Sequence, residues 1–244
     1  MLTLALRETD DAWLSEFARG LGEDAAAFGC ALLGGDTVST PGPLMISITA
    51  FGRVPAGRMV RRLGAAPGDR VVVTGTIGDA ALGLAVLKGG AVAQALAGDT
   101  ASRDALVARY RVPQPRSTLA AAVREHASAA MDVSDGLAGD LAKLCAVSGV
   151  SADINAAAVP LSAPVQALLD RGTVGIEAMF AGGDDYEILC TIPERRFEAF
   201  VKLAGQAGVP VTAIGTVIAG QTAPRFLDSQ GGVIAFSRTS YSHF

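Results

Sequence analysis

Apolar and polar positions alternate in two different styles along this chain, with a change of character near residue 70. LTLALR (2–7) is a short apolar run that reads as a strand. Thr9 or Asp10 then stands ahead of Trp13, Leu14, Phe17 and Leu21, whose spacing of three to four places them on one helix face. Two further runs, CALLGG (30–35) and LMISITAFGRV (44–54), read as strands on either side of the turn GGDTVSTPGP. Strand, helix, strand, strand is too little for a closed domain. The strand at 2–7 has no visible partner before it and is expected to be a sheet edge, with part of this domain missing or supplied by another chain.

VPAGRMVRRLGAAPGD (54–69) is rich in Pro, Gly and Arg, and residues 55–69 read as a linker. Beyond it, strands and helices alternate regularly. DRVVVTGTIG is a strand and loop, DAALGLAVLKGG a helix stopped by glycine, and more helix surrounds VPQPRS. Strand candidates follow at 129–133, 151–159, 185–192 and 211–218, with helices between several of them. The pattern predicts an α/β (α+β) fold, with residues 1–54 and 70–244 as its two domains. No 20–50-residue repeat interrupts it.

Half of the 244 residues are apolar, which is ample for a core, and the net charge is −4 with both signs spread along the chain. No basic patch points to nucleic acid, and no segment approaches 18 uninterrupted strongly apolar residues, so neither nucleic acid nor a membrane is an expected partner. A phosphate-bearing ligand must then be held locally, by metal ions or placed arginines. The opening MLTLALRETDDAW lacks the pattern of a secretory leader. Cys30, Cys145 and Cys190 are odd in number, far apart and in apolar contexts; they are expected to be buried free thiols of a cytoplasmic protein.

Familiar phosphate and hydrolase motifs are absent. The chain has no GxxxxGK[ST], GTIGDAALG (75–83) lacks the dinucleotide glycine spacing and reads as a plain strand-to-helix turn, and a Ser-His-Asp triad has only two histidines and no GxSxG to draw on. What recurs is acid beside glycine at three strand ends: GGD (34–36), DVSD (132–135) and GGDD (182–185). In AAMDVSDGLAGDLAKLC, Leu137, Leu141 and Leu144 carry a helical spacing, so Ser134 or Asp135 is a candidate N-cap. A cap does not explain Asp132. Carboxylates on loops after strands can converge on hard cations such as Mg²⁺, and neighbouring glycines let backbone approach a ligand.

Taken in order, LLGGDT, GRVPAGRMVRRLGAAPGDRVVVTGTIGDAALGL, MDVSDGLAGDL, FAGGDDYEIL and the closing YSHF resemble the thiamine-monophosphate kinase family over essentially the whole chain. The wider superfamily of aminoimidazole-ribonucleotide and selenophosphate synthetases shares the plan; SDGL, GGDDYE and the terminal aromatic-x-His-Phe single out the thiamine enzymes. The resemblance implies a two-domain fold with residues 1–54 as the remainder of an ATP-binding and dimerisation domain. It implies Mg²⁺- and ATP-dependent conversion of thiamine phosphate to thiamine diphosphate in a cytoplasmic homodimer. It assigns Gly35, Asp36, Arg62 and Ser134 to ATP, and Asp36, Asp132 and Asp135 to magnesium. Asp184 and Tyr241 go to thiamine phosphate; the family often has glutamate at the first of these and tryptophan at the second. The alternatives are another Mg-ATP enzyme of the superfamily and a non-catalytic binder of nucleotide or thiamine phosphate.

The resemblance also implies acidic GDDAA, STD-like and NLSDLAAMGA-like segments ahead of residue 1. The 244-residue chain is therefore expected to turn over feebly and to self-associate, whereas an upstream extension of roughly eighty residues restores turnover and a defined dimer. Side-by-side kinetics and sedimentation of the two proteins check this; equal turnover by the short chain would refute it.

Overall fold

The structure, a computed structural model, describes residues 1–241. The chain divides into two compact units, residues 1–56 and the chain from Gly57 onward.

In the first unit, β1 (Leu2–Leu6), α1 (Asp11–Ala27), β2 (Gly35–Ser39) and β3 (Met45–Ile48) follow one another. Asp10 caps α1, its carboxylate accepting from the N–H groups of Ala12 and Trp13 at 2.9 and 3.2 Å. The expected sheet edge at 2–7 is instead the middle strand: β1 pairs in parallel with β2 and antiparallel with β3. The second strand lies at 35–39 rather than at 30–35, in a stretch that reads as a turn because it is polar. Pairing with β1, Leu2 against Gly35 through Leu6 against Ser39, overrides the weak strand propensity of GDTVS. The third strand is shorter than expected, and residues 49–54 lie outside regular structure. Gly35 has a packing reason to be glycine, since an added Cβ would collide with the Leu2 carbonyl oxygen. Cys30 is exposed, contrary to expectation. Cys145 and Cys190 are buried as expected, and burial pushes their thiols up to about 11 and about 12.

The second unit is a six-stranded sheet in the order β5-β7-β4-β8-β6-β9. Its strands are β4 (Arg70–Thr74), β5 (Ala129–Asp132), β6 (Ser151–Asn155), β7 (Ile188–Ile192), β8 (Val211–Ile218) and β9 (Arg225–Leu227). Every pairing is antiparallel except β6 with β9. The period-two alternation of the strands sorts the core into two layers. Val71, Val73 and Leu189 join a cluster with α2 (Asp79–Lys88), α4 (Thr100–Arg111), α6 (Leu137–Ser148) and α7 (Ala163–Asp170). Val72, Cys190 and Ile192 face α5 (Ala120–His126) and α9 (Glu194–Gln206), which contributes Phe200 and Ala204. The helices α3 (Ala91–Ala95) and α8 (Ile176–Phe180) are single turns that join the first layer through Val92, Met179 and Phe180.

This topology decides where chemistry can sit. Because β7 runs antiparallel to both β4 and β5, the C-terminal ends of β4 and β5 and the N-terminal end of β7 meet at one rim. The loops 75–78, 133–136 and 181–187 converge there. None of the helices among the described residues is long and apolar enough to cross a membrane.

Helices α2 and α4 approach closely at Gly83, where an added Cβ would collide with the Leu106 carbonyl oxygen and lie 3.0 Å from the Tyr110 Cβ. Helix propensity favours alanine there by up to about 1 kcal/mol, but a backbone oxygen cannot step aside, and overpacking costs roughly 1–3 kcal/mol. Gly83→Ala is expected to be net destabilising in urea unfolding; a stability equal to or above that of the parent would show that the helices can separate.

Candidate active site

The GGDDYE segment reaches the rim through Glu187, whose side chain is completely buried. Its carboxylate accepts from Thr74 Oγ1 at 2.6 Å, Arg109 Nη2 at 2.8 Å, and Arg116 through Nε at 2.8 Å and Nη2 at 2.5 Å. This contact holds the Arg116 guanidinium more firmly protonated than usual. A lone buried carboxylate would be prohibitive; two guanidinium partners and a hydroxyl satisfy its lone pairs. Just ahead, Asp184 and Tyr186 adopt left-handed backbone, with φ of 71° and 50°. Each such residue costs of order 1–3 kcal/mol and persists only where its surroundings over-determine it. Here Asp184 N donates to Ser134 O at 2.9 Å, Tyr186 N to Val133 O at 2.8 Å, and Val133 N to Glu187 O at 2.8 Å. Gly183 permits this approach, since a Cβ there would collide with the Ser134 carbonyl.

Asp185 is also buried, and it accepts from the backbone N–H groups of Gly78 at 2.7 Å and Ala80 at 3.1 Å at the start of α2. GTIGDAALG is thus a strand-to-helix turn, as its sequence suggests, and its N–H donors are taken by the protein's own acid. Burial pushes the Asp185 carboxyl up to about 7, against the opposing pull of those two N–H groups.

The DVSD loop is organised by a residue the sequence did not single out. Neither Ser134 nor Asp135 caps α6: the cap position is Gly136, with no side-chain bond. Instead Asp140, fully buried in the first turn, reaches back to the N–H groups of Ser134 and Asp135, each at 2.9 Å. Lys143 then bridges Asp140 at 2.9 Å and Asp135 at 2.6 Å, and its ammonium is held above its ordinary range, chiefly by Asp135.

These loops enclose one side of a cavity of about 450 Å³, lined by Ser134, Asp135, Asp184, Tyr186 and Tyr241. Its other side is apolar, with Leu82, Ala85 and Val92 among its residues, and Lys88 and Arg238 are the cations in its wall. Asp132 is exposed at the end of β5. Burial raises the Tyr186 phenol first, and the charges of Asp184, Asp132 and Asp135 raise it further, so three acids of two loops converge on one ring. The Tyr186 hydroxyl donates to Asp184 at 3.3 Å. Of the residues expected from sequence, Asp132, Ser134, Asp135, Asp184 and Tyr241 are therefore brought together. Arg62 is exposed on the stretch before β4, its carbonyl accepting from Ser148 Oγ at 3.4 Å, and Gly35 and Asp36 belong to the first unit. The last three residues of YSHF lie outside the described residues.

Among the described residues, no three His, Cys, Asp or Glu side chains form a ready-made metal cluster. The donor set nevertheless suits magnesium, which takes oxygen ligands, commonly one or two carboxylates completed by substrate phosphates and water. Asp132 and Asp135 are the carboxylates of the DVSD loop on which such a site would draw.

The family model for the C-terminal domain of AIR synthase related proteins matches residues 66–225, and the model for their N-terminal domain matches residues 1–54. The thiamine-monophosphate kinase of Caulobacter vibrioides is 42% identical over 239 residues, covering 96% of this chain and 65% of the relative. That of Salmonella typhimurium is 37% identical over 243 residues, covering 100% and 72%. The chain belongs to the thiamine-monophosphate kinase family. The crystal structure of thiamine-monophosphate kinase from Stenotrophomonas maltophilia superposes with a TM-score of 0.81 at 35% identity, covering 96% of this chain and 72% of that one. A second structure, AaThiL complexed with AMPPCP and TMP, gives 0.76 at 26% identity, covering 100% and 72%. The chain thus spans about two thirds to three quarters of the length of these thiamine-monophosphate kinases, with their two-domain α/β fold.

Arg109, Arg116, Asp140 and Glu187 are the residues that sequence reasoning missed in this thiamine-monophosphate kinase fold. The arginines give no local signal, being 71 to 78 positions from their partner. Glu187 was visible as the acid closing GGDDYE, and Asp140 as an acid in a first helical turn.

Asp185 yields a pH prediction. Its folded value of about 7 lies above the ordinary 3.8, so the unfolded chain releases this proton first. Its stabilising contribution is complete below about pH 4 and is lost as the pH rises through about 7. Relative to Asp185→Asn, the parent should therefore lose stability across that interval and run parallel above it, as urea unfolding at a series of pH values will show. Parallel curves from pH 4 upward would mean that the backbone donors keep Asp185 ionised.

Proposed function

We propose that the chain catalyses Mg²⁺-dependent transfer of the ATP γ-phosphoryl group to thiamine phosphate, yielding thiamine diphosphate and ADP. The observation that carries this is the cavity of the second unit, where acids from DVSD and GGDDYE and two tyrosines face an apolar wall, in a chain of the thiamine-monophosphate kinase family. A thiazolium cation matches the carboxylate of Asp184, and flat heteroaromatic rings match Tyr186 and Tyr241. The AMPPCP and TMP bound to AaThiL support the same pair of substrates.

In this reading the acceptor is already an anionic phosphate and needs no strong protein base, so direct in-line transfer suffices and no phosphoenzyme forms. Magnesium, when bound, neutralises the charge between donor and acceptor. Asp132 and Asp135 of the second unit would hold it, and Asp36 is a candidate magnesium ligand of the first unit. Ser134 and Arg62 are the candidate ATP contacts of the second unit, and Gly35 that of the first. Asp184 and Tyr241 orient the acceptor, and the apolar wall keeps water from the transferring group. We place the reaction in the cytoplasm and assign a homodimer. The first unit supports the dimer: Met45, Ile46 and Ile48 of its edge strand β3 are all exposed.

The direct test is production of thiamine diphosphate and ADP from ATP and thiamine phosphate, dependent on added magnesium. Saturable binding of both without product would favour a non-catalytic binder, and turnover with another acceptor alone would overturn the substrate. Asp132→Ala and Asp135→Ala should each weaken magnesium-dependent nucleotide binding by tenfold or more, about 1.4 kcal/mol. Their effect on folding should stay within about 1 kcal/mol, the scale of an exposed ion pair. Unchanged nucleotide affinity beside a small loss of stability would reduce both to structural acids.

Tyr241→Ala should raise KM for thiamine phosphate several-fold and leave KM for ATP nearly unaltered, the signature of lost acceptor binding. An equal rise in both would mean that Tyr241 only fastens the chain end to the core.

A further inference from the structure

The stretch from Phe236 to Tyr241 has no regular secondary structure, yet it supplies Arg238 and Tyr241 to the cavity wall. A segment without ladder partners must be held by side chains, and this one is held at both ends. Upstream, the Phe236 ring packs edge-on against Phe226 at 5.2 Å and tilted against Phe180 at 6.4 Å. Immediately after it, the Glu177 carboxylate of α8 accepts three hydrogen bonds: from Ser237 N at 3.0 Å, from Ser237 Oγ, and from Arg238 N at 3.2 Å. Downstream, Tyr241 N donates to Asp135 O at 2.8 Å. Ser240 lies so close to α6 that a Cβ on Gly139 would sit 2.6 Å from the Ser240 Cβ and 2.9 Å from the Thr239 carbonyl oxygen.

Among the described residues, the side-chain hydrogen bonds of Glu177 go to Ser237 and Arg238 rather than to Glu187 or to the acid loops. Its hydrogen bonds to Ser237 hold its carboxyl below the usual range, so it is ionised whenever the cavity is in use. The next residue of α8 but one, Met179, is buried in the core, and Ala178 lines the cavity itself. A fixed single-turn helix thus presents one carboxylate to the strap.

We propose that Glu177 is a positioning residue for the acceptor: by clamping Ser237 and Arg238 it keeps Arg238 and Tyr241 in place as one wall of the cavity. This rests on the reading of the cavity as the thiamine phosphate site. Glu177 does not line the cavity, so its loss acts on the acceptor through the strap.

The test compares the parent chain with Glu177→Ala, Glu177→Gln and Ser237→Ala. Calorimetry measures thiamine phosphate and a non-hydrolysable ATP analogue, and hydrogen exchange follows residues 237–241. Glu177→Ala should speed exchange there and weaken thiamine phosphate about tenfold, the scale of a small misplacement, with the analogue changed less than twofold. Glu177→Gln keeps one acceptor oxygen and should recover part of the loss. Ser237→Ala loosens the same clamp from the strap's side by removing the hydroxyl donor to Glu177 and should show the same ligand selectivity, which covers a failure of the Glu177 variants to fold. Adding Tyr241→Ala to Glu177→Ala should cost less than it does alone, because the ring is already misplaced. Unchanged thiamine phosphate affinity in Glu177→Ala and Ser237→Ala, or equal weakening of both ligands, overturns the positioning role while leaving the function reading intact. A parent chain that binds the analogue but no thiamine phosphate overturns that reading, and this inference with it.

Discussion

A fully buried negative charge, Glu187, is the constraint around which the second unit is arranged. Taking such a group out of water costs several kcal/mol even after relaxation, and removing one partner of a buried pair costs roughly 3–5 kcal/mol. The fold answers with Thr74 from the end of β4, Arg109 from the last turn of α4, and Arg116 from the loop beyond it. Three separate stretches are therefore tied to the residue before β7. Their common anchor fixes the exit of the 182–187 loop, and that loop is the one carrying left-handed backbone at Asp184 and Tyr186. The strain is held because Glu187 on one side and the Val133 and Ser134 carbonyls on the other leave the chain no relaxed path.

A second consequence concerns anions. The N-terminus of α2 and the backbone N–H groups of the 134–135 loop are the kinds of donor that often receive phosphate. Asp185 occupies the first and Asp140 the second. With its own acids on these donors, the rim presents carboxylates outward, at Asp132, Asp135 and Asp184, rather than N–H groups. A polyphosphate can approach such a surface only with cations between. Lys143, already resting on Asp135 at 2.6 Å, shows how readily that acid takes a positive partner. The same arrangement suits a chain with no basic field of its own.

Much of this was legible in sequence, and the exceptions have physical causes. In the second unit the strand candidates reappear as β4 to β8, with 151–159 shortened to β6 and 185–192 to β7, because the alternation along these strands matches two buried faces. β2 was misplaced because GDTVS is polar; its strand character comes from β1, and no local pattern encodes a partner's backbone. The acid loops were visible as glycine beside aspartate. Their spatial meeting was not, since it depends on Arg109 and Arg116, whose link to Glu187 is a product of the sheet order. The capping role expected of Ser134 or Asp135 is not filled by a side chain: Gly136 stands at the cap, and Asp140 bonds the loop ahead of it. An acid in the first turn can reach back only when the preceding loop folds over it, and here the 182–187 segment forces it to do so.

The departure at Asp184, where the family resemblance sets a glutamate, follows from the same geometry. Among non-glycine residues, aspartate is one of those that tolerate left-handed backbone, because its short polar side chain finds local partners. At φ 71° Asp184 accepts from the Tyr186 hydroxyl at 3.3 Å, two residues along and itself left-handed. The shorter acid thus keeps its carboxylate against the loop that bears it, within the cavity wall and beside the ring on which Asp132 and Asp135 also act. A longer side chain would carry that charge further into the cavity. What the substitution alters is the reach of the negative charge toward a ligand; the backbone pairing with Ser134 that forms the wall does not depend on it.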